Sequence, residues 1–300
     1  MPLGKSIRIY LADATVTGIR YAELLNWTGH AIACPRSKLN ELKNWPESSK
    51  PGIYFLFEGR FSNSKPEAYI GESENVTERL TSHDRYKDFW SEVIIFTSKD
   101  ENLTKAHIKY LESALVGLAK EADRYELKNS TMPSESSLPR ADRDAMEEFL
   151  ENIRMVLGTL GHSILEPIFK QKDTDDSQFE SGELVESQNL LSNLFFKVHS
   201  LVAQGAITDE GFVLKKGSQL SKTNSESMPG KLSTIKEKLL VEGTLKDEGA
   251  HLVASEDILF NSSSYAAAIV AGTSRSGPQS WKTAKGKTIK KIEDDELGNV

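Results

Sequence analysis

The chain has 300 residues, 38% of them hydrophobic and 27% charged, with a formal net charge of −7; that length favours two or three folded units over one. No apolar run approaches the roughly 18 residues that span a bilayer, and the N-terminus lacks a basic segment followed by an apolar stretch, so the expectation is a soluble, cytoplasmic protein with no membrane partner. The single cysteine, Cys34, excludes an intramolecular disulfide and a multi-cysteine zinc site, and it is expected as a small hydrophobe at a strand end.

In chain order, residues 7–11 form a strand-like run, 18–27 a helix-like or turn segment, and 31–34 a second apolar run. Lys50-Pro51-Gly52 marks a boundary. From there the hydrophobic period changes repeatedly. Residues 52–57 are rich in β-branched and aromatic side chains and predict a strand; 58–67 carry Gly59, Asn63 and Pro66 and predict a loop; 68–71 predict a second strand, antiparallel to the first. Asn75 followed by Glu78 is a capping box that opens a helix with Val76, Arg79, Leu80 and His83 at helical spacing. Residues 93–96 form an unbroken apolar run, a buried central strand. Residues 104–122 are the best helix, with Ile108, Leu111, Leu115, Val116 and Ala119 on one face. Strand, strand, helix, strand, helix gives an α+β fold, in which a small domain has a mixed or antiparallel three-stranded sheet flanked by helices.

Residues 140–160 predict a further amphipathic helix in a connector spanning 134–170. Residues 131–190 carry 5 basic and 13 acidic side chains, against 18 of each in residues 1–130. The acidity is concentrated at Asp173, Asp175, Asp176, Glu180, Glu183 and Glu186, so 171–189 reads as a solvated linker. The rest is close to neutral, which permits a nucleic-acid partner without requiring one. Residues 190–300 are expected to form a small C-terminal α+β domain.

One polar residue interrupts the best helix stripe. Glu112 lies among Ile108, Leu111 and Leu115, where an unpaired carboxylate is costly and calls for a cation, either a basic side chain or a metal ion. A stripe-edge glutamate reaching water or a salt bridge is the commoner arrangement. Arg79 and His83 share one helix face, an ordinary solvated pattern by itself. Tyr54 and Tyr69 each sit in a short strand, where a core tyrosine is the usual explanation.

Taken together, Gly52-Ile53-Tyr54, Tyr69-Ile70-Gly71, Arg79 ten residues beyond Tyr69, His83 four further on, Glu112 on a long helix and Asn129 before a turn resemble the GIY-YIG nuclease family over roughly 80 of the 300 residues. The 14-residue interval between the tripeptides, 55–68, is longer than the common form. The chain is also similar to a subgroup in which about fifty residues, here 1–50, pack on the nuclease domain, here 51–133, and a C-terminal domain of unknown function follows. That part of the resemblance rests on residues 211–214 with Gly217-Ser218, on 262–268, and on Trp281 with Gly286-Lys287-Thr288.

The resemblance implies a divalent-metal-dependent endonuclease acting on nucleic acid, with DNA favoured. Glu112 would hold Mg²⁺ or Mn²⁺. Arg79 would fork onto the non-bridging phosphoryl oxygens. Tyr54 would be general base to the attacking water with Tyr69 bonding nearby, His83 would orient Tyr54 or share the proton transfer, and Asn129 would position the substrate. A phenol of ordinary pKa near 10 needs a neighbouring cation for that role. These groups are expected to converge on one concave surface. The alternative is a catalytically silent nucleic-acid- or protein-binding module that keeps the fold.

Overall fold

The computed structural model describes residues 3–59, 65–129, 133, 136–168 and 191–297, which divide into two compact units, 2–167 and 168–300. The expected acidic linker, 171–189, lies outside the described residues, as do residues 60–64 of the 58–67 loop.

The first unit is built on a seven-stranded sheet in the order β1-β2-β3-β6-β4-β5-β7. Its strands are β1 (Ile7–Leu11), β2 (Arg20–Leu24), β3 (Gly29–Pro35), β4 (Gly52–Glu58), β5 (Glu67–Ser73), β6 (Trp90–Ser98) and β7 (Glu126–Leu127). The helices are α1 (Leu39–Leu42), α2 (Val76–Tyr86), α3 (Lys105–Ala122) and α4 (Arg140–Thr159). The predicted antiparallel trio is present as β6-β4-β5, with Tyr54 opposite Gly71 and Ile95. The first fifty residues do more than pack on it: β3 pairs along β6 from Gly29 opposite Ser98 to Pro35 opposite Glu92 and extends the same sheet. Residues 18–27, read as helix or turn, contain strand β2, which zips between β1 and β3. Alanine, glutamate and leucine there favour helix locally, and the ladder on both sides overrides them.

Both faces of the sheet are covered, which is why β4 and β6 read as continuous apolar runs rather than alternating ones. Ile53, Phe55 and Phe57 turn toward α3 and α4, joining Ile108, Leu111, Leu115, Phe149 and Ile153 in one core. Tyr54 and Leu56 turn the other way, with Val76 and Leu80 of α2 and Ile32, Cys34, Val93 and Ile95 of the sheet. Cys34 is buried, and burial pushes its thiol up to about 12, so it serves as a hydrophobe. Asn75 caps α2 by accepting from the Glu78 N–H, and Thr104 caps α3 in a reciprocal box with His107.

The second unit is also α+β. A five-stranded antiparallel sheet runs β14 (Ile258–Phe260), β10 (Gly211–Leu214), β9 (Leu201–Thr208), β8 (Leu194–Val198), β15 (Lys282–Thr283), and a three-stranded one runs β11 (Gln219–Leu220), β13 (Leu252–Ala254), β12 (Leu245–Asp247). Helices α5 (Gly230–Val241), α6 (Ser263–Ala271), α7 (Gly277–Ser280) and α8 (Ile289–Leu297) complete it. Of the residues singled out in its sequence, Phe212, Leu214, Ala266, Ala267, Ala268 and Trp281 lie in its core, whereas Gly217 and Gly286 are exposed. Ser262 caps α6, and Trp281 is fully buried against Phe212 and donates its indole N–H to the Ser263 carbonyl at 3.0 Å. Among the described residues no helix is long and apolar enough to cross a membrane.

Candidate active site

Alternation along β4 and β5 places Tyr54 and Tyr69 on the α2 side of the sheet. Gly71 is what lets them meet: a Cβ there would lie 2.4 Å from the Tyr54 hydroxyl and 2.8 Å from Tyr69 Cε1. The two rings are 6.1 Å apart between centroids.

Above them, α2 presents Arg79 and His83 one turn apart. The Arg79 Nε–H donates to the Tyr54 hydroxyl at 3.4 Å, and His83 Nε2 lies 3.3 Å from the same oxygen. The His83 ring meets Tyr54 edge-on at 5.6 Å and Tyr69 at 5.2 Å. Tyr54 is 0% exposed. Burial raises its phenol far above the ordinary value, and the Tyr69 neighbourhood adds to that; Arg79 pulls the other way without balancing them. Burial also pushes His83 down to about 4, helped by the charges of Arg79 and Lys87, so the imidazole is neutral at neutral pH. Its Nδ1 is buried with no hydrogen-bond partner among the described residues.

Glu112 does not rise from the face that carries Tyr54, because α3 packs on the opposite layer. It stands instead at the edge of β5, where the charge of Arg79 acts on it, and does not share one surface with Tyr54 as expected. That edge is finished by side chains where β7 ends: the Asn129 carboxamide accepts from the Ile70 N–H at 3.1 Å and donates to the Ile70 carbonyl at 2.7 Å, and one step further the Glu72 N–H acts on the Glu112 carboxylate and favours its charged form. Glu112 is half-buried. Desolvation raises its pKa first and the Glu72 carboxylate raises it second, while the Glu72 N–H and the charges of Lys105 and Arg79 oppose them.

Sequence reasoning passed over Glu72, which follows the second tripeptide directly. Its carboxylate is held by Lys105 Nζ at 2.7 and 2.9 Å. It also passed over Lys87, one further turn along the Arg79 and His83 line, whose ammonium lies 4.0 Å from the Tyr69 ring centroid. The spacing was a readable signal for Lys87; strand alternation was one for Glu72.

Among the described residues no group of three or more histidine, cysteine, aspartate and glutamate side chains is arranged around a common point. Glu112 and Glu72 are neighbouring carboxylates, but both Glu72 oxygens are held by Lys105; Glu112 alone could serve as a single carboxylate ligand to a hard dication such as Mg²⁺, with waters and substrate oxygens completing the shell.

Asn129 is committed to both backbone groups of Ile70, which is itself fully buried. Asn129→Ala is therefore expected to lower stability by about 1–3 kcal/mol in urea denaturation. A pure substrate contact would instead leave the urea midpoint unchanged.

Residues 194–293 match the family model described as Domain of unknown function (DUF4357). The match begins at the first residue of β8 and ends within α8, so it covers most of the described part of the second unit and none of the candidate site. No curated protein and no solved structure matches the chain significantly.

Proposed function

We propose that the first unit is a divalent-metal-dependent endonuclease that hydrolyses nucleic-acid phosphodiesters, with DNA the favoured substrate. The observation that supports this most is one hydroxyl, that of Tyr54, contacted at once by a guanidinium and a neutral imidazole among otherwise largely apolar side chains. A core tyrosine needs one hydrogen-bond partner; two titratable partners of different charge are a proton-handling arrangement.

In this reading Arg79 directs its remaining N–H groups at the non-bridging phosphoryl oxygens, where negative charge grows as water attacks phosphorus. Tyr54 accepts a proton from that water while passing its own to His83 Nε2, so the phenol never has to be a free phenolate in a site that disfavours one. Burial, with the charges of Arg79 and Lys87 added to it, holds His83 down to about 4, and an incoming phosphate offsets those two charges, raising its basicity when the proton must be taken. The phosphorus to leaving-oxygen bond then breaks, and the leaving oxygen is protonated from solvent. Bound at Glu112, Mg²⁺ or Mn²⁺ would act as a Lewis acid on a phosphoryl oxygen and steady the leaving group. Glu112 would supply its anionic contact from the protein, and Tyr69 flanks Tyr54 with its ring centroid 6.1 Å away.

The second reading is a catalytically silent binding module, favoured by the complete burial of Tyr54. The two part in one experiment. Purified protein with supercoiled plasmid is expected to give nicked and linear forms in Mg²⁺ or Mn²⁺ and none in EDTA; an unchanged plasmid in all three conditions, with retention on the DNA, would establish the binding module instead.

A further inference from the structure

We propose that Lys87 is a second phosphate contact of this site, taking the phosphate next to the one held by Arg79, so that the substrate is recognised as a polynucleotide strand rather than as an isolated phosphodiester. The inference rests on the nuclease reading above.

Arg79, His83 and Lys87 recur every four residues along α2 and its C-terminal cap, so they share one side of the helix. Eight residues at 1.5 Å rise put about 12 Å between the first and last backbone positions, a span that one phosphate does not fill. The Lys87 ammonium is held over the Tyr69 face at 4.0 Å. That cation–π contact orients it without consuming its N–H donors, all three of which remain for an anion.

The charges are unbalanced. Among the described residues neither Arg79 nor Lys87 forms an ion pair with a carboxylate, whereas Lys105 at the other end of the site is paired with Glu72 and lies 3.9 Å from Glu74. Burial and the Arg79 charge both act against Lys87 being charged, so the folded protein bears a cost for keeping the two cations together. An anion lying along the α2 side relieves that cost at both positions, and a sugar–phosphate strand carries charge at repeated intervals. A lysine here only to protect the fold would be expected to have a carboxylate partner or to extend into water.

The test compares full-length wild type with Lys87→Met, which keeps most of the stem over Tyr69, and with Lys87→Arg, which keeps the charge. On DNA, Lys87→Met is expected to raise KM about tenfold with kcat changed far less, and to lower the slope of log affinity against log salt by about 1. Lys87→Arg should recover most of both. On bis(p-nitrophenyl) phosphate, which has a single phosphate, the loss in kcat/KM should be at least about threefold smaller than on DNA. If Lys87→Met lowers the melting temperature, Lys87→Gln replaces it. An unchanged salt slope and KM on DNA, or equal losses on both substrates, would overturn the assignment of Lys87 while leaving the nuclease reading intact. Wild-type protein that neither binds nor cuts DNA would overturn both.

Discussion

Glu112→Gln is expected to reduce metal-dependent cleavage about a thousandfold or more while the protein stays folded. Glutamine is the informative replacement because it keeps the size of the side chain and an oxygen able to face the Glu72 N–H, and removes only the charge. Alanine would leave that N–H bare and confuse lost chemistry with a frayed strand. The stability side has a definite sign. Burial and the Glu72 carboxylate raise the folded-state pKa of Glu112 above its unfolded value, so the folded state holds the proton more tightly. The associated stability is fully present below the unfolded pKa and is lost as pH rises through the raised folded one. Glutamine does not titrate, so the variant should lack this decline and at neutral pH be at least as stable as wild type. Added Mg²⁺ should raise the melting temperature of wild type through mass action and leave that of Glu112→Gln unmoved. A Glu112→Gln protein that cuts plasmid normally would remove the metal role. One that unfolds would identify Glu112 as a cap for the β5 edge and nothing more.

What could be read from the sequence divides by the range of the interactions involved. The burial of β4 and β6, the stripe of α3 and the Asn75 cap depend on neighbours a few residues apart, and each is visible as a period or a short spacing. Strand β2 was misread because residues 20–24 carry only two fully inward apolar side chains, Ala22 and Leu24, and its identity comes from β1 and β3. The edge of β5 was illegible. Asn129 finds Ile70 at a separation of 59 residues, and no local pattern announces an asparagine that imitates a strand. Glu112 falls between these cases. Its place in an apolar stripe signalled that it needed a partner, but the partner is a backbone N–H from a strand across the layer, which only the fold supplies. The resemblance brought Tyr54, Tyr69, Arg79 and His83 together as a set, and β4, β5 and α2 gather those four on one side of the sheet. Lys87 went unread although it obeys the same four-residue spacing.

Tyr54→Phe carries the largest consequence for mechanism, because it removes one oxygen and keeps the ring. Both readings predict a folded protein. The hydroxyl makes two long hydrogen bonds, at 3.3 Å to His83 and 3.4 Å to Arg79, so its loss should cost about 1 kcal/mol in denaturation. They differ on catalysis. If Tyr54 relays the water proton to His83, Phe breaks the relay, and cleavage should fall at least about a hundredfold with KM little changed. His83→Gln should then be damaging too, and the double variant should lose little beyond the worse single one, since the two act as a unit. The pH profile gives a separate signature. A relay ending on His83 needs the imidazole neutral, and with its pKa pushed down to about 4 in the free protein the wild-type kcat/KM should hold on the acidic side to well below neutrality, falling only as the ring is protonated. An unassisted tyrosine base, with its phenol raised by burial, would instead gain rate steadily with rising pH across the neutral range. Wild-type cleavage by Tyr54→Phe would return Tyr54 to the role of a core aromatic and leave Arg79 and Glu112 to support the reaction without it.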